Sequence, residues 1–88
     1  MTSATLNEVS NKIRTILRDH GRLSTAADQL TEDADLYQAG MTSHASVNVM
    51  LALEGTFDVE FPDAMLKRSA FESIAAIRSA IEQLTSGR

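Results

Sequence analysis

Apolar side chains recur at steps of three and four residues near both ends of the chain. In the first segment they are Leu6, Val9, Ile13, Ile16 and Leu17. In the last segment they are Phe71, Ile74, Ile77, Ile81 and Leu84. This spacing places each set on one face of a helix and predicts an amphipathic helix at each end.

Capping boxes predict where these two helices begin. Thr5 followed by Glu8, and Ser69 followed by Glu72, have the spacing in which each side chain satisfies an otherwise unpaired backbone donor. Gly21 is expected to end the first helix, because glycine is the common residue after a helix C-terminus.

A third helix is predicted to begin near Thr42 or Ser43 and to end around Gly55 and Thr56. Its predicted apolar stripe consists of Val47, Met50, Leu51 and Phe57, and Val49 and Leu53 widen the apolar surface. Such a helix is buried on more than one side or presents an apolar patch to a partner.

Two connections join these helices. Residues 21–40 are predicted to form a long loop whose leucines, Leu23, Leu30 and Leu36, dock on the core through a short helical turn. Tyr37 is interpreted as a packing residue rather than a catalytic phenol.

The second connection, "FDVEFPD", alternates apolar residues at Phe57, Val59 and Phe61. A single short strand would have no partner to pair with, so an extended connector is predicted. Pro62 then starts a brief helical turn through residues 64–66. The predicted fold is all-α: a four-helix bundle in one domain, residues 1–88, with three major helices, one short third helix and a long first loop.

Composition excludes several functions. The 88 residues carry a net charge of −4, which argues against nucleic-acid binding, and contain no cysteine for disulfides or thiolate metal sites. The sequence shows neither a leader-like start nor a run long enough to span a membrane, so a monomeric cytoplasmic protein is expected.

Candidate catalytic groups are few. Ser43 and His44 are neighbours, but adjacent helical side chains point about 100° apart, so His44 is poorly placed as a base for Ser43. His20 and His44 have no companions at metal-ligand spacing. We therefore expect no enzyme activity and no metal site. Ser43 itself has two interpretations: a helix cap, or an exposed hydroxyl open to modification at a helix N-terminus, where the dipole favours a phosphate.

The segment "AGMTSHASVNVMLALEGTFDVEFPD" resembles the acyl and peptidyl carrier proteins. The family pattern is a glycine, a modified serine after one or two residues, a helix ending in "ALE", a phenylalanine-containing turn and an apolar-proline step. The matching landmarks are Leu36, Gly40, Ser43, Val47, Ala52, Leu53, Glu54, Phe57, Phe61 and Pro62. The likeness extends over almost the whole chain.

The resemblance implies that Ser43 receives 4′-phosphopantetheine from coenzyme A through a phosphopantetheinyl transferase. The arm would then carry an acyl or aminoacyl group as a thioester. The implied partners are that transferase, a loading ligase and a downstream acyl-acceptor enzyme.

The sequence also departs from the family. Fatty-acid carriers have Asp-Ser-Leu where this chain has Thr42-Ser43-His44, and the following helix has no acid before Glu54. Polar residues around the serine and the tail "FPDAMLKRSAFESI" resemble free-standing aminoacyl carriers loaded by synthetase-like ligases. Because a helix with so few acids would give only a weak steering field, apolar contact is expected to contribute more to partner binding. The expected partner-binding residues are Thr42, His44, Val47, Asn48 and Leu51.

Two alternatives stay open. His44 is either an exposed first-turn residue or a contact for the arm or a partner. The chain as a whole is either a modified carrier or an unmodified helical interaction module that binds a partner through its apolar helix face.

Overall fold

Three α-helices make up most of the computed structural model, which describes residues 2–24 and 26–86, with side chains for residues 8–24, 26–27 and 29–85. They are α1, Thr2–His20; α2, Ser43–Phe57; and α3, Ile74–Ser86. Single 3-10 turns lie at Ala27–Gln29, Asp63–Met65 and Arg68–Phe71. The described residues contain no strand, and none of their helices combines the length and the apolar character that crossing a membrane requires. The all-α prediction is confirmed, and the short third helix takes the form of two consecutive 3-10 turns.

The predicted start of α1 is wrong. The helix begins at Thr2, so Thr5 has helical backbone and is not the residue before the helix. The side chains of Thr5 and Leu6 lie outside the described residues. The predicted end is correct: α1 stops at His20, and the amide of Gly21 donates to the Leu17 carbonyl at 2.8 Å.

The predicted start of α3 is also wrong. Ser69 lies in a 3-10 turn, and α3 begins at Ile74, where Ser73 Oγ accepts from the Ala76 amide at 3.0 Å. A tertiary contact accompanies the shift: the Glu72 carbonyl accepts from the amide of Leu36 in the first loop. Phe71 therefore precedes the helix.

The buried face of α2 differs from the predicted stripe. The buried residues are Ala45, Val49 and Leu53, each four positions after the last and each fully inaccessible. Val47 and Leu51, predicted to lie in the stripe, are 50% and 56% exposed. Met50 and Phe57 are half-buried. Val47 and Leu51 therefore lie on the exposed side of α2, as in the predicted alternative of an exposed apolar patch.

The first loop is anchored as predicted. Leu36 is fully buried, and Leu23 and Leu30 pack against the core. Arg14 of α1 donates through Nη1 to the carbonyls of Ala27 and Leu30, at 2.6 and 2.7 Å. These contacts hold the loop against α1.

A second polar cluster joins the loop to α1 and α3. Glu32 accepts a hydrogen bond from Ser10 Oγ at 2.9 Å and forms an ion pair with Arg78. The Glu32 carbonyl also accepts from the amide of Ala75 near the start of α3. The loop is thereby fixed to both helices on the path that leads to α2.

The second connection is pinned by apolar side chains, as predicted, but it is not extended from its start: Phe57 is the last residue of α2, and Asp58 has left-handed backbone with φ of 54°. Val59 is half-buried and Phe61 is buried beside Phe71, with ring centroids 5.4 Å apart. Glu54 Oε2 accepts from the Phe61 amide at 2.9 Å. Pro62 precedes the 3-10 turn at Asp63–Met65.

Candidate functional site

A tightly held loop precedes Ser43. Gly40 has φ of 118°, a conformation that residues with a Cβ rarely adopt. A Cβ at this position would lie 3.0 Å from the amide nitrogen of Ser24. Both that amide and Ser24 Oγ donate to the Ala39 carbonyl at 2.8 Å. The approach of the chain to α2 is therefore fixed by contacts with the first half of the loop.

Thr42, rather than Ser43, caps α2. Thr42 has extended backbone, and its Oγ1 accepts from the Ala45 amide at 3.0 Å. Ser43 is the first residue of the helix, and its side chain is exposed. Within the described part of the chain, its hydroxyl makes no hydrogen bond. The Ser43 hydroxyl is thus presented to solvent.

The position suits a phosphate ester. The first amides of a helix lack intrahelical acceptors, and the helix dipole places partial positive charge there. An anion at Ser43 would lie at the N-terminus of a 15-residue helix. Because Thr42 Oγ1 already satisfies the Ala45 amide, modification of Ser43 would not remove the cap of α2.

The histidines do not join Ser43 in a catalytic arrangement. His44 is exposed in the first turn of α2. Its side chain forms no hydrogen bond within residues 2–24 and 26–86. His20 ends α1 on a different element. The described His, Asp and Glu side chains form no group of three that could hold a metal ion.

A groove of about 350 Å³ opens beside Ser43. It runs between α2 and the 3-10 turn at Arg68–Phe71, and Ser43 belongs to its lining. Its apolar lining is provided by Tyr37, Val47, Met50, Leu66 and Phe71. The groove is mostly hydrophobic and begins at the residue with the exposed hydroxyl, so it offers an apolar surface to a group attached there.

The five predicted partner-binding residues share one exposed surface. They are Thr42, His44, Val47, Asn48 and Leu51, and all are exposed. They occupy the N-cap and the first three turns of α2, with Val47 and Leu51 one turn apart. Of the five, only Val47 also lines the groove beside Ser43.

Several residues that line the groove were not predicted to belong to the site, and three of them are consecutive in the sequence. Leu66 is 47% exposed and lines the groove together with Lys67 and Arg68. Lys67 and Arg68 were recognisable in the sequence as a small basic pair. No periodic pattern could place them near Ser43, because Lys67 lies between two 3-10 turns and Arg68 begins the second of them. Tyr37 packs at the rim as predicted, beneath the Arg68 guanidinium.

The sequence matches the model of the family described as "Phosphopantetheine attachment site" over residues 11–81. An aminoacyl carrier protein from Agrobacterium fabrum is 46% identical over 76 residues, which cover 86% of this chain and 92% of that protein.

Two solved structures contain similar chains. One is a complex of an engineered Bradyrhizobium japonicum glycine:[carrier protein] ligase with a carrier protein from Agrobacterium tumefaciens and ATP. It matches with a TM-score of 0.82 and 45% identity, covering 85% of this chain and 97% of the matched chain. The other is a Bradyrhizobium japonicum glycine:[carrier protein] ligase with a glycylated carrier protein. It matches with a TM-score of 0.72 and 26% identity, covering 83% of this chain and 97% of the matched chain.

Proposed function

The chain belongs to the phosphopantetheine-attachment family of carrier proteins, and we propose that Ser43 is the residue that bears its 4′-phosphopantetheine. The group is covalent, comes from coenzyme A and supplies the thiol that a chain without cysteine lacks. The observation that carries the assignment is the exposed Ser43 hydroxyl, left unbonded in the described structure because Thr42 is the cap.

The proposed cargo is an amino acid held as a thioester. Support comes from the aminoacyl carrier protein at 46% identity and from the carrier chains crystallised with glycine:[carrier protein] ligases. A synthetase-like ligase is the proposed loading enzyme, and glycine is the first amino acid to test. The proposed contact surface is Thr42, His44, Val47, Asn48 and Leu51.

The remaining parts of the proposal follow from a carrier role. A phosphopantetheinyl transferase attaches the arm, and a downstream enzyme accepts the amino acid. The chain works in the cytoplasm as a monomeric single domain, residues 1–88, and is a substrate of its partner enzymes rather than a catalyst.

Intact-mass measurement tests the attachment site. The chain is incubated with coenzyme A and a broad-specificity phosphopantetheinyl transferase, and the expected result is a mass increase of one phosphopantetheinyl group. Ser43→Ala should abolish the increase. Ser46→Ala is the matched control, because Ser46 is one turn away and its hydroxyl is bonded to the Ser43 carbonyl at 2.7 Å. An unmodified parent chain would favour the interaction module, and modification of Ser43→Ala would place the arm elsewhere.

A second measurement tests the cargo. The modified chain is mixed with the Bradyrhizobium japonicum ligase, ATP and glycine, and the expected product is a glycyl thioester that hydroxylamine releases. If the arm is attached but a panel of amino acids with their ligases gives no thioester, the aminoacyl assignment is wrong and the carrier assignment stands.

A further inference from the structure

The charge of the groove lining beside Ser43 is opposite in sign to that of the whole chain. The protein has a net charge of −4, yet α2 contains no Asp or Glu from Ser43 to Leu53. The first acid, Glu54, is engaged by the Phe61 amide. Among the described residues, the groove beside Ser43 is lined by two cations, Lys67 and Arg68, and by no carboxylate. The charged side chains that line the groove are therefore all positive.

These two cations are available to an external anion. Both side chains are exposed, and neither forms an ion pair within the described part of the chain. The Arg68 guanidinium lies over the Tyr37 ring, 3.9 Å from its centroid. Stacking restricts the guanidinium while leaving its N–H edge able to donate.

An apolar patch adjoins the cations. Among the described side chains the large exposed hydrophobic residues are Val47, Leu51 and Leu66, at 50%, 56% and 47% exposure. Val47 and Leu66 line the same groove as Lys67 and Arg68, and Leu51 lies one turn beyond Val47 on α2. We call these five residues the basic-edged patch. An apolar centre with a charged edge is the arrangement found in protein interfaces.

We propose that the basic-edged patch docks a partner protein whose complementary surface is apolar at its centre and carries Asp or Glu side chains opposite Lys67 and Arg68. The first such partner is the loading ligase, so the inference rests on the proposed function. Carboxylates at this edge attract the two cations during encounter and accept their N–H groups in the complex. A partner with a basic docking surface would instead meet like charge.

Charge reversal tests the inference. Binding of the full-length chain, unmodified at Ser43, to the Bradyrhizobium japonicum glycine:[carrier protein] ligase is measured by calorimetry at low and raised salt. Lys67→Glu and Arg68→Glu are each expected to weaken binding about three- to tenfold, and more at low salt than at high salt. Circular dichroism confirms that each variant is folded.

Lys12→Glu is the matched control. Lys12 is exposed, its ammonium lies 5.7 Å from the centroid of the Phe57 ring, and it lines a different hollow, on α1. The charge change is the same as at Lys67, so both variants alter the net charge equally. Binding of Lys12→Glu is expected to stay within about twofold of the parent.

A near-isosteric variant fixes the sign of the partner's charge. Asn48 is exposed on α2 beside Val47, and Asn48→Asp adds an acid with almost no change in shape. If the partner offers carboxylates, Asn48→Asp weakens binding about two- to threefold. Tighter binding would mean that the partner presents cations and would overturn the inference.

The remaining outcomes separate this inference from the proposed function. If the parent binds and Lys67→Glu and Arg68→Glu bind equally well, the inference is overturned and the carrier function stands. If Lys67→Glu and Arg68→Glu bind as tightly as the parent before phosphopantetheinylation but more weakly after it, the two cations bind the phosphate of the arm. The inference is then overturned as well. If the parent does not bind the ligase, the proposed ligase partner fails and the inference fails with it.

Discussion

Thr42 Oγ1 accepts a hydrogen bond from the amide of Ala45 at 3.0 Å, and this contact separates the capping of α2 from the chemistry of its first residue. A single serine at this point would have to serve both as cap and as attachment site. With Thr42 as the cap, the Ser43 hydroxyl is exposed while the first turn of the helix stays capped. The helix can thus remain intact whether or not Ser43 is modified.

Loss of this cap should destabilise the protein without changing its fold. Thr42→Ala removes the side-chain acceptor of the Ala45 amide and is expected to lower the free energy of unfolding by about 1 kcal/mol. For a domain of this size the Tm should fall by roughly 4–8 °C. Thr42→Ser is the control, because it keeps the hydroxyl. Equal stability of the alanine and serine variants, measured by thermal and urea unfolding, would contradict the capping role.

Two glycines should respond to alanine in opposite directions. Gly40 has φ of 118° and would place a Cβ 3.0 Å from the Ser24 amide nitrogen, so Gly40→Ala is expected to destabilise by about 1–3 kcal/mol. Gly55 lies inside α2 with nothing within 4 Å of an added Cβ. Gly55→Ala is therefore expected to stabilise by about 0.5–1 kcal/mol. Urea unfolding measures both, and two changes of the same sign would show that one of these environments is misassigned.

Substitution of two leucines on α2 should have different effects, one on stability and the other on binding. Leu53 is fully buried, so Leu53→Ala is expected to lower the free energy of unfolding by about 2–5 kcal/mol. Leu51 is 56% exposed, so Leu51→Ala should change stability by no more than about 0.5 kcal/mol. Leu51→Ala should nevertheless weaken binding to the loading ligase in calorimetry. A strongly destabilised Leu51→Ala variant would place this residue in the core and contradict the observed orientation of α2.

The carboxylate of Glu54 should stabilise the fold mainly as a hydrogen-bond acceptor rather than through its charge. Its Oε2 accepts from the buried backbone at Phe61, so Glu54→Ala leaves that amide unpaired and is expected to destabilise by about 1–3 kcal/mol. Glu54→Gln keeps an acceptor oxygen and should lose less. Exposed Glu60, on the connector itself, provides a control through Glu60→Ala, expected within about 0.5 kcal/mol of the parent. If Glu54→Gln and Glu54→Ala unfold at the same urea concentration, the hydrogen bond is not the source of the effect.

Much of the fold was predictable because its signals are local. Repeating apolar residues such as Ile13 and Leu17 in α1, or Ile74 and Ile77 in α3, are spaced by the geometry of a single helix, and all four are fully buried. The carrier landmarks around Ser43 likewise lie within one stretch of the sequence. The extended path through Phe61 followed from the absence of a second strand pattern and from Pro62.

The error at the start of α3 arose where two capping signals competed. Ser69 with Glu72 and Ser73 alone are both acceptable starts for α3, and the observed start at Ile74 accompanies a hydrogen bond from the Leu36 amide to the Glu72 carbonyl. Leu36 is far from Glu72 in the sequence. A local pattern of cap residues contains no information about that contact.

The local arrangement of residues was enough to identify the helices, the long loop and Ser43 as the residue of interest, because each depends on neighbours within a few positions. Tertiary packing decided which face of α2 is buried. The sequence offers two apolar sets on this helix, one of Ala45, Val49 and Leu53 and one of Val47 and Leu51. Shape complementarity with the rest of the bundle selects the first set for the core. The same packing brings Lys67 and Arg68 beside Ser43. Their approach depends on the course of an irregular segment, which no periodicity encodes.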